Sequence, residues 1–263
     1  MLIIGEKLNS TIPLIRKAIN EKDKALIQNL AQKQTEAGAD YLDINTAMEN
    51  EVDDMQWAIE AIHEVVDTPI CIDSTNPAAI KRGLEVIQKG RTMINSISLE
   101  KNRCEEIIPL ALEYDCQVIA LTTDDRGIPK TVDERLKITE QLVNILLKNN
   151  FNLDNLYVDP LVLPLAVNSH NADIFFQSLV AIKKEFNIKT VSGLSNVSHS
   201  LPNRRLINRY FLAICTYLGM DAAILDPLDN KIMTALITAE LLAGKDRLAR
   251  AYLQRYRAGK LED

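Results

Sequence analysis

Carboxylates, amides and hydroxyls recur in this 263-residue sequence at one kind of place, the last residues of short apolar runs. Glu6 and Asn9 close LIIGEKLN, Asp43 and Asn45 sit in YLDINT, Asp73 and Ser74 in PICIDST, and Asn95 and Ser96 in TMINSIS. Thr122 and Thr123 end CQVIALTT, Asp159 sits in NLYVDPL, Ser195 and Asn196 follow KTVSGL, and Asp226 falls in DAAILDP. Any one of these is explained by a turn or a helix cap, because Asp, Asn and Ser hydrogen-bond nearby backbone. A set that converges on one rim is a binding surface. Oxygen ligands of this kind suit a hard divalent cation. They equally suit a neutral heterocycle rich in donors and acceptors. A 2-amino-4-oxopyrimidine offers two parallel N–H donors to one carboxylate, and an amide side chain serves an adjacent donor and acceptor together. A pterin is such a ligand.

Other chemistries find little support. His63, His170 and His199 are far apart and no HExxH occurs, so a histidine-based metal centre is not expected. Cys71, Cys104, Cys116 and Cys215 are scattered with no CxxC pair, which disfavours zinc ribbons and redox pairs. We expect no metal in the site.

The elements that must position the polar set follow one rhythm. Short β-branched or apolar runs at 2–9, 41–46, 69–75, 92–98, 116–123, 155–161, 189–195 and 221–227 alternate with longer stretches of helical spacing. In 25–37, Ala25, Leu26, Leu30 and Ala37 share a stripe; in 51–66, Val52, Met55, Ile59, Ile62 and Val66 do. Further helices are expected near 77–88, 103–114, 132–149, 172–186, 204–219 and 230–243. Asn76 before Pro77 reads as an N-cap, and Gly38 and Gly219 as helix ends. Eight strand–helix units in roughly 250 residues predict a single (β/α)8 TIM barrel, whose chemistry sits at the C-terminal strand ends. A doubly wound sheet is the alternative. One domain is expected over 1–263, with the barrel over about 1–244 and a helical extension over about 245–263 that prolongs the final helix.

Composition narrows the partners. Lys and Arg total 30 against 36 Asp and Glu, a net charge of −6, so no basic surplus exists for nucleic acid. No apolar run approaches the roughly 18 residues of a membrane span. MLIIGEKLNS lacks the pattern of a signal peptide, so a cytoplasmic protein is expected.

The strings LIIGEKLN, CIDSTN (71–76), INS (94–96), YVDPL (157–161), GLSNVS (193–198) and NR-LINR-FLA (203–213) resemble the methyltetrahydrofolate:corrinoid protein methyltransferases, in order and over essentially the whole chain. The resemblance implies a pterin-binding TIM barrel, usually a homodimer, that moves a methyl group between N5 of methyltetrahydrofolate and corrinoid cobalt. It implies that Asp159 holds the pyrimidine N–H pair, that Asn95 and Asp73 bind other ring nitrogens, and that Asn196 sits near N5 as the catalytic amide. His199, where a glutamine is familiar, and Arg204 are implied to line the folate site. No histidine here lies in the DxHxxG loop of corrinoid-binding proteins. The corrinoid is therefore expected on a separate protein, and the chain itself is expected to bind no cofactor beyond its folate substrate. Dihydropteroate synthase, on the same scaffold, is the alternative, although GLSNVSHSLPNR carries an amide where that chemistry expects a lysine. A folate-binding protein without turnover is a further alternative.

Overall fold

The computed structural model describes residues 1–87 and 91–262. Among the described residues eight strands are found: β1 (Leu2–Asn9), β2 (Tyr41–Asn45), β3 (Ile70–Asp73), β4 (Met93–Leu99), β5 (Gln117–Asp124), β6 (Leu156–Asp159), β7 (Lys189–Thr190) and β8 (Ala222–Leu225). All pairings are parallel, in the order β7-β6-β5-β4-β3-β2-β1-β8. The ring closes through the Asp221 N–H donating to the Thr190 carbonyl at 3.1 Å and the Ile224 N–H to the Ser192 carbonyl at 2.9 Å. The fold is a TIM barrel, not an open doubly wound sheet.

Each strand alternates sides. Ile44, Ile72, Ile94, Val118 and Val158 face outward, into the large core beneath the helices. Ile4, Tyr41, Cys71, Met93, Ile119, Tyr157, Val191 and Ala222 face inward and pack as one buried cluster, a plug that fills the barrel. Every strand region contributes one residue to it. Inside the plug the Tyr41 hydroxyl donates to Gln117 Oε1 at 2.9 Å, so its polar end is satisfied.

The outer helices are α1 (Pro13–Asn20), α2 (Lys24–Glu36), α3 (Glu51–His63), α4 (Pro77–Val86), α5 (Arg103–Glu113), α6 (Val132–Lys148), α7 (Asn171–Phe186), α8 (Arg204–Tyr217), α9 (Asn230–Leu242) and α10 (Arg250–Arg257). Asn76 caps α4 by accepting from the Ala78 N–H at 3.0 Å. Thr131 and Glu134 cap α6 reciprocally, leaving two fewer orphan donors at its start. Gly38 and Gly219 follow their helices at φ +101° and +95°, as their positions suggested.

One element is new and one expectation needs correction. Helix α1 was not anticipated: its buried residues, Ile15, Ala18 and Ile19, span little more than one turn and show no extended period. The C-terminal segment does not prolong α9. Gly244, Leu248 and Ala249 all take positive φ, which breaks the helix, and α10 begins afresh at Arg250. Gln88, within the expected helix 77–88, and Asp263, at the end of the expected extension, lie outside the described residues. Among the described residues no helix is long and apolar enough to cross a membrane.

Candidate active site

The inward alternation that builds the plug also builds the site. Two residues beyond each plug residue the side chain faces inward again, one layer nearer the C-terminal mouth. From Ile4 this step reaches Glu6; from Tyr41, Asp43; from Cys71, Asp73; from Met93, Asn95. From Val191 and Ala222 it reaches Gly193 and Ile224. All six line one crevice of about 450 Å3, together with Lys7, Asn9, Thr11, Ile12, Ser195, Asn196 and Arg204.

Strand β1 supplies two neighbours to the mouth because it carries one extra residue. Gly5 pairs with Leu42 and Leu8 with Ile44, so three steps on β1 oppose two on β2. Such a bulge re-aims side chains. The bulge is held from behind by Gln34 of α2, fully buried, whose Oε1 accepts the Lys7 N–H at 3.1 Å. Gly5 makes the approach possible, because a Cβ there would stand 2.6 Å from Gln34 Oε1. Strand β4 has its own irregularity between Asn95 and Ile97.

Amide orientations are fixed by their partners. Asn45 Oδ1 accepts from the Ser10 hydroxyl at 2.7 Å and the Ala47 N–H at 3.2 Å, which turns its Nδ2 toward Asp73 Oδ2 at 3.1 Å. Asn95 Nδ2 donates to Asp43 Oδ1 at 3.3 Å, leaving its carbonyl oxygen free of that contact. Asp43 is buried, and burial followed by the nearby Asp73 charge pushes its carboxyl well above the ordinary range. Burial also pushes Asp73 up to about 6, against the lowering effect of the Asn45 N–H. The Cys71 thiol, held protonated chiefly by burial, donates to Asp43.

Asp159 ends β6 and is buried, just behind the crevice wall rather than among its lining residues. Its Oδ1 accepts the Leu161 N–H at 2.7 Å, and the Gly193 N–H of the wall also bonds it. Burial raises it to about 6, opposed by those N–H groups and by the buried Arg135 guanidinium.

Asn196 lies on a single 3-10 turn, Leu194–Ser198, that follows β7. The turn is clamped by Arg204 at the start of α8. Its Nη2 donates to the Ser195 carbonyl at 2.7 Å and its Nε to Ser198 Oγ at 3.2 Å. Asn196 Nδ2 stands 3.3 Å from where a Cβ on Gly193 would be, so the bare glycine leaves the amide its space. His199, exposed, ends that turn and is not among the residues lining the crevice. The structure thus brings Asp73, Asn95, Asn196 and Arg204 to one crevice, sets Asp159 behind its wall, and leaves His199 at the rim.

Other members of the polar set serve the scaffold. Ser74 donates to Glu51 and receives the Asn76 N–H, and the buried Thr122 hydroxyl donates to the Asp159 carbonyl at 3.2 Å. Lys7, Thr11, Ile12 and Ile224 were not anticipated. Lys7 is visible only through the bulge; Thr11 and Ile12 lie in the turn before α1. Asp226 forms an ion pair with Lys7 at 3.0 Å in an adjoining recess. Among the described residues no group of three His, Cys, Asp or Glu side chains is arranged to hold a metal ion.

Comparison with known proteins identifies the family. The pterin binding enzyme family matches residues 9–226. A methylcorrinoid:tetrahydrofolate methyltransferase of Eubacterium limosum is 38% identical over 266 residues, covering 99% of this chain and 98% of that one. A methionine synthase of Mycobacterium leprae (strain TN) is 30% identical over 241 residues, 85% of this chain but only 20% of that longer protein. Among solved structures, a dihydropteroate synthase from Coxiella burnetii in complex with pteroic acid superposes with a TM-score of 0.71 at 18% identity, over 92% of this chain and 93% of that one. The 7,8-dihydropteroate synthase from Vibrio fischeri ES114 gives 0.70 at 16%, over 93% of each. At those identities the structures speak for the barrel alone. The full-length sequence match goes further, and the chain belongs to the pterin binding enzymes, in the methyltetrahydrofolate:corrinoid methyltransferase family.

Proposed function

We propose that this chain moves the N5-methyl group between methyltetrahydrofolate and the cobalt of a corrinoid carried by a separate protein. The observation that carries the reading is the single crevice shared by Asp73, Asn95 and Asn196, with Asp159 directly behind it. In this reading Asp159 accepts the paired N–H groups of the pyrimidine, and Asp73 and Asn95 meet other ring nitrogens. Asn95 presents a fixed polarity, with its Nδ2 committed to Asp43 and its carbonyl oxygen left for the ring.

Corrinoid cobalt is the co-substrate that accepts or delivers the methyl group. Loss of the methyl leaves an electron pair on N5, an unfavourable leaving group unless a hydrogen bond or proton meets it. Asn196 is assigned that contact. An amide N–H aimed at developing charge stabilises the transition state more than the ground state. Arg204 is assigned a positioning role, since it grips the turn on both sides of Asn196. Arg204→Ala is expected to lower the transfer rate about tenfold, with Arg204→Lys recovering little, because an ammonium lacks the guanidinium's spread of donors. Stopped-flow transfer rates compared with folate affinity would check this; equal losses in both would assign Arg204 to binding. His199, exposed beside the turn, is assigned to the outer part of the folate.

A homodimer is the proposed working unit. Leu206, Tyr210, Ile214 and Tyr217 form an exposed stripe along α8, the kind of surface a second copy covers. The proposed location is the cytoplasm, with four free, buried cysteines that suit a reducing compartment.

The deciding assay mixes the chain with methyltetrahydrofolate and free cob(I)alamin. The expected result is methylcobalamin, followed spectroscopically, with no pteroate formed from a pterin pyrophosphate and p-aminobenzoate. A folate-binding protein without turnover gives neither product.

A further inference from the structure

Glu6 is the crevice's one lining carboxylate in neither a hydrogen bond nor an ion pair among the described residues, while its neighbours in the mouth are engaged. Asp73 takes the Asn45 amide, Asp43 takes the Asn95 amide, and Asp226 takes the Lys7 ammonium. Alternation from Ile4 aims Glu6 into the crevice that Asn196 also lines, and Glu6 also lines the adjoining recess of about 340 Å3 with Ser195, Arg204 and Asp226. Solvent in either cavity can reach it. Glu6 is half-buried, and carboxyls withdrawn from water normally have partners. One left open in the crevice that the proposed N5 amide also lines has the chemistry of a proton carrier.

We propose that Glu6 stores the proton that N5 takes up when its methyl group departs, and receives it back when a methyl group arrives. The inference rests on the methyl-transfer reading above and supplies what an amide cannot. In demethylation the cobalt–carbon bond forms from the cobalt(I) electron pair as the N5–carbon bond breaks. The pair released onto N5 then takes the proton of the Glu6 carboxyl, directly or through one water, leaving a carboxylate. In the opposite direction the carboxylate removes the N5–H proton. No other reactant is needed.

The surroundings suit this work. Burial raises the Glu6 carboxyl from 4.5 to about 7; Asp226 raises it further, while Lys7 and Arg204 lower it. Asp43 on β2 and Asp73 on β3 face the same crevice and Arg205 and Asp229 the adjoining recess, so charge of both signs bears on it. An acid poised near the working pH is the efficient carrier.

The test is single-turnover transfer from methyltetrahydrofolate to cob(I)alamin between pH 5.5 and 8.5, with folate affinity measured alongside. For the wild-type chain the rate is expected to fall as pH rises through about 7, and the reverse transfer from methylcobalamin to tetrahydrofolate to rise over the same interval. Glu6→Gln should be about tenfold slower or worse at pH 6 and should lose the step near 7 in both directions, with folate affinity within about threefold. Glu6→Asp, which keeps a carboxyl, should retain a step even if displaced. The proposal is overturned if Glu6→Gln keeps the wild-type rate and profile, or if Glu6→Asp behaves like Glu6→Gln. Absence of any transfer by the wild-type chain would instead overturn the methyl-transfer reading itself.

Discussion

Asn196→Ala is expected to slow methyl transfer by about 10²- to 10³-fold while leaving the affinity for methyltetrahydrofolate within about threefold. The size follows from what one preorganised donor contributes when charge develops opposite it in a partly desolvated site, roughly 3–4 kcal/mol. The split follows from its place. Asn196 is exposed on the 3-10 turn, and among the described residues its side-chain amide makes no bond that holds the turn together; Arg204 does that. Truncation therefore removes a donor without disturbing its carrier, and thermal stability should change little. Rapid-mixing kinetics with cob(I)alamin, paired with equilibrium titration, separate the two quantities. Equal losses in rate and affinity would move Asn196 from transition-state support to simple binding.

The second large effect concerns Asp159, and it has opposite signs for binding and for folding. Two hydrogen bonds to a charged group contribute roughly 1.5–3 kcal/mol each, so Asp159→Asn should weaken pterin binding by about 10²- to 10⁴-fold. The same substitution should stabilise the empty protein at neutral pH. A carboxyl displaced by burial from its ordinary 3.8 to about 6 opposes folding by up to about 3 kcal/mol when ionised. The sign is that of a raised acid: between about 4 and 6 the folded chain binds more protons than the unfolded one, so this residue's penalty shrinks as pH falls. Folate affinity should decline over the same interval, because the acceptor becomes protonated. Calorimetry of wild type and Asp159→Asn at pH 5 and 7.5, with folate titrations at both, would test it. A variant that melts lower at pH 7.5 and binds folate normally would remove Asp159 from the site.

The sequence made the barrel legible because a parallel strand buried on both faces must be short and apolar, and a helix that covers it must carry a stripe. Ile70–Asp73 and Glu51–His63 obey those rules. It also placed the polar ring, since the C-terminal strand end is where inward polar groups can reach solvent. Asp73, Asn95 and Asn196 were legible for that reason, and their detailed roles came only through resemblance. What stayed hidden depends on register. Nothing local marks that β1 holds an extra residue at Glu6 and Lys7; the bulge is held by Gln34, a polar residue buried on the same face of α2 as Ile27 and Ala31. Likewise Asn45 and Ser74 look like site residues in a string but spend their hydrogen bonds on Asp73, Ser10 and Glu51. The break before α10 was missed because Leu248 and Ala249 are ordinary helix formers forced to positive φ.

The plug has a consequence for traffic. Eight side chains, one from each strand region, fill the barrel beneath the crevice, so nothing passes through from that side. In the methyl-transfer reading, vitamin and carrier protein would both approach from the opposite end, so a carrier seated there would hold the vitamin in place until it left.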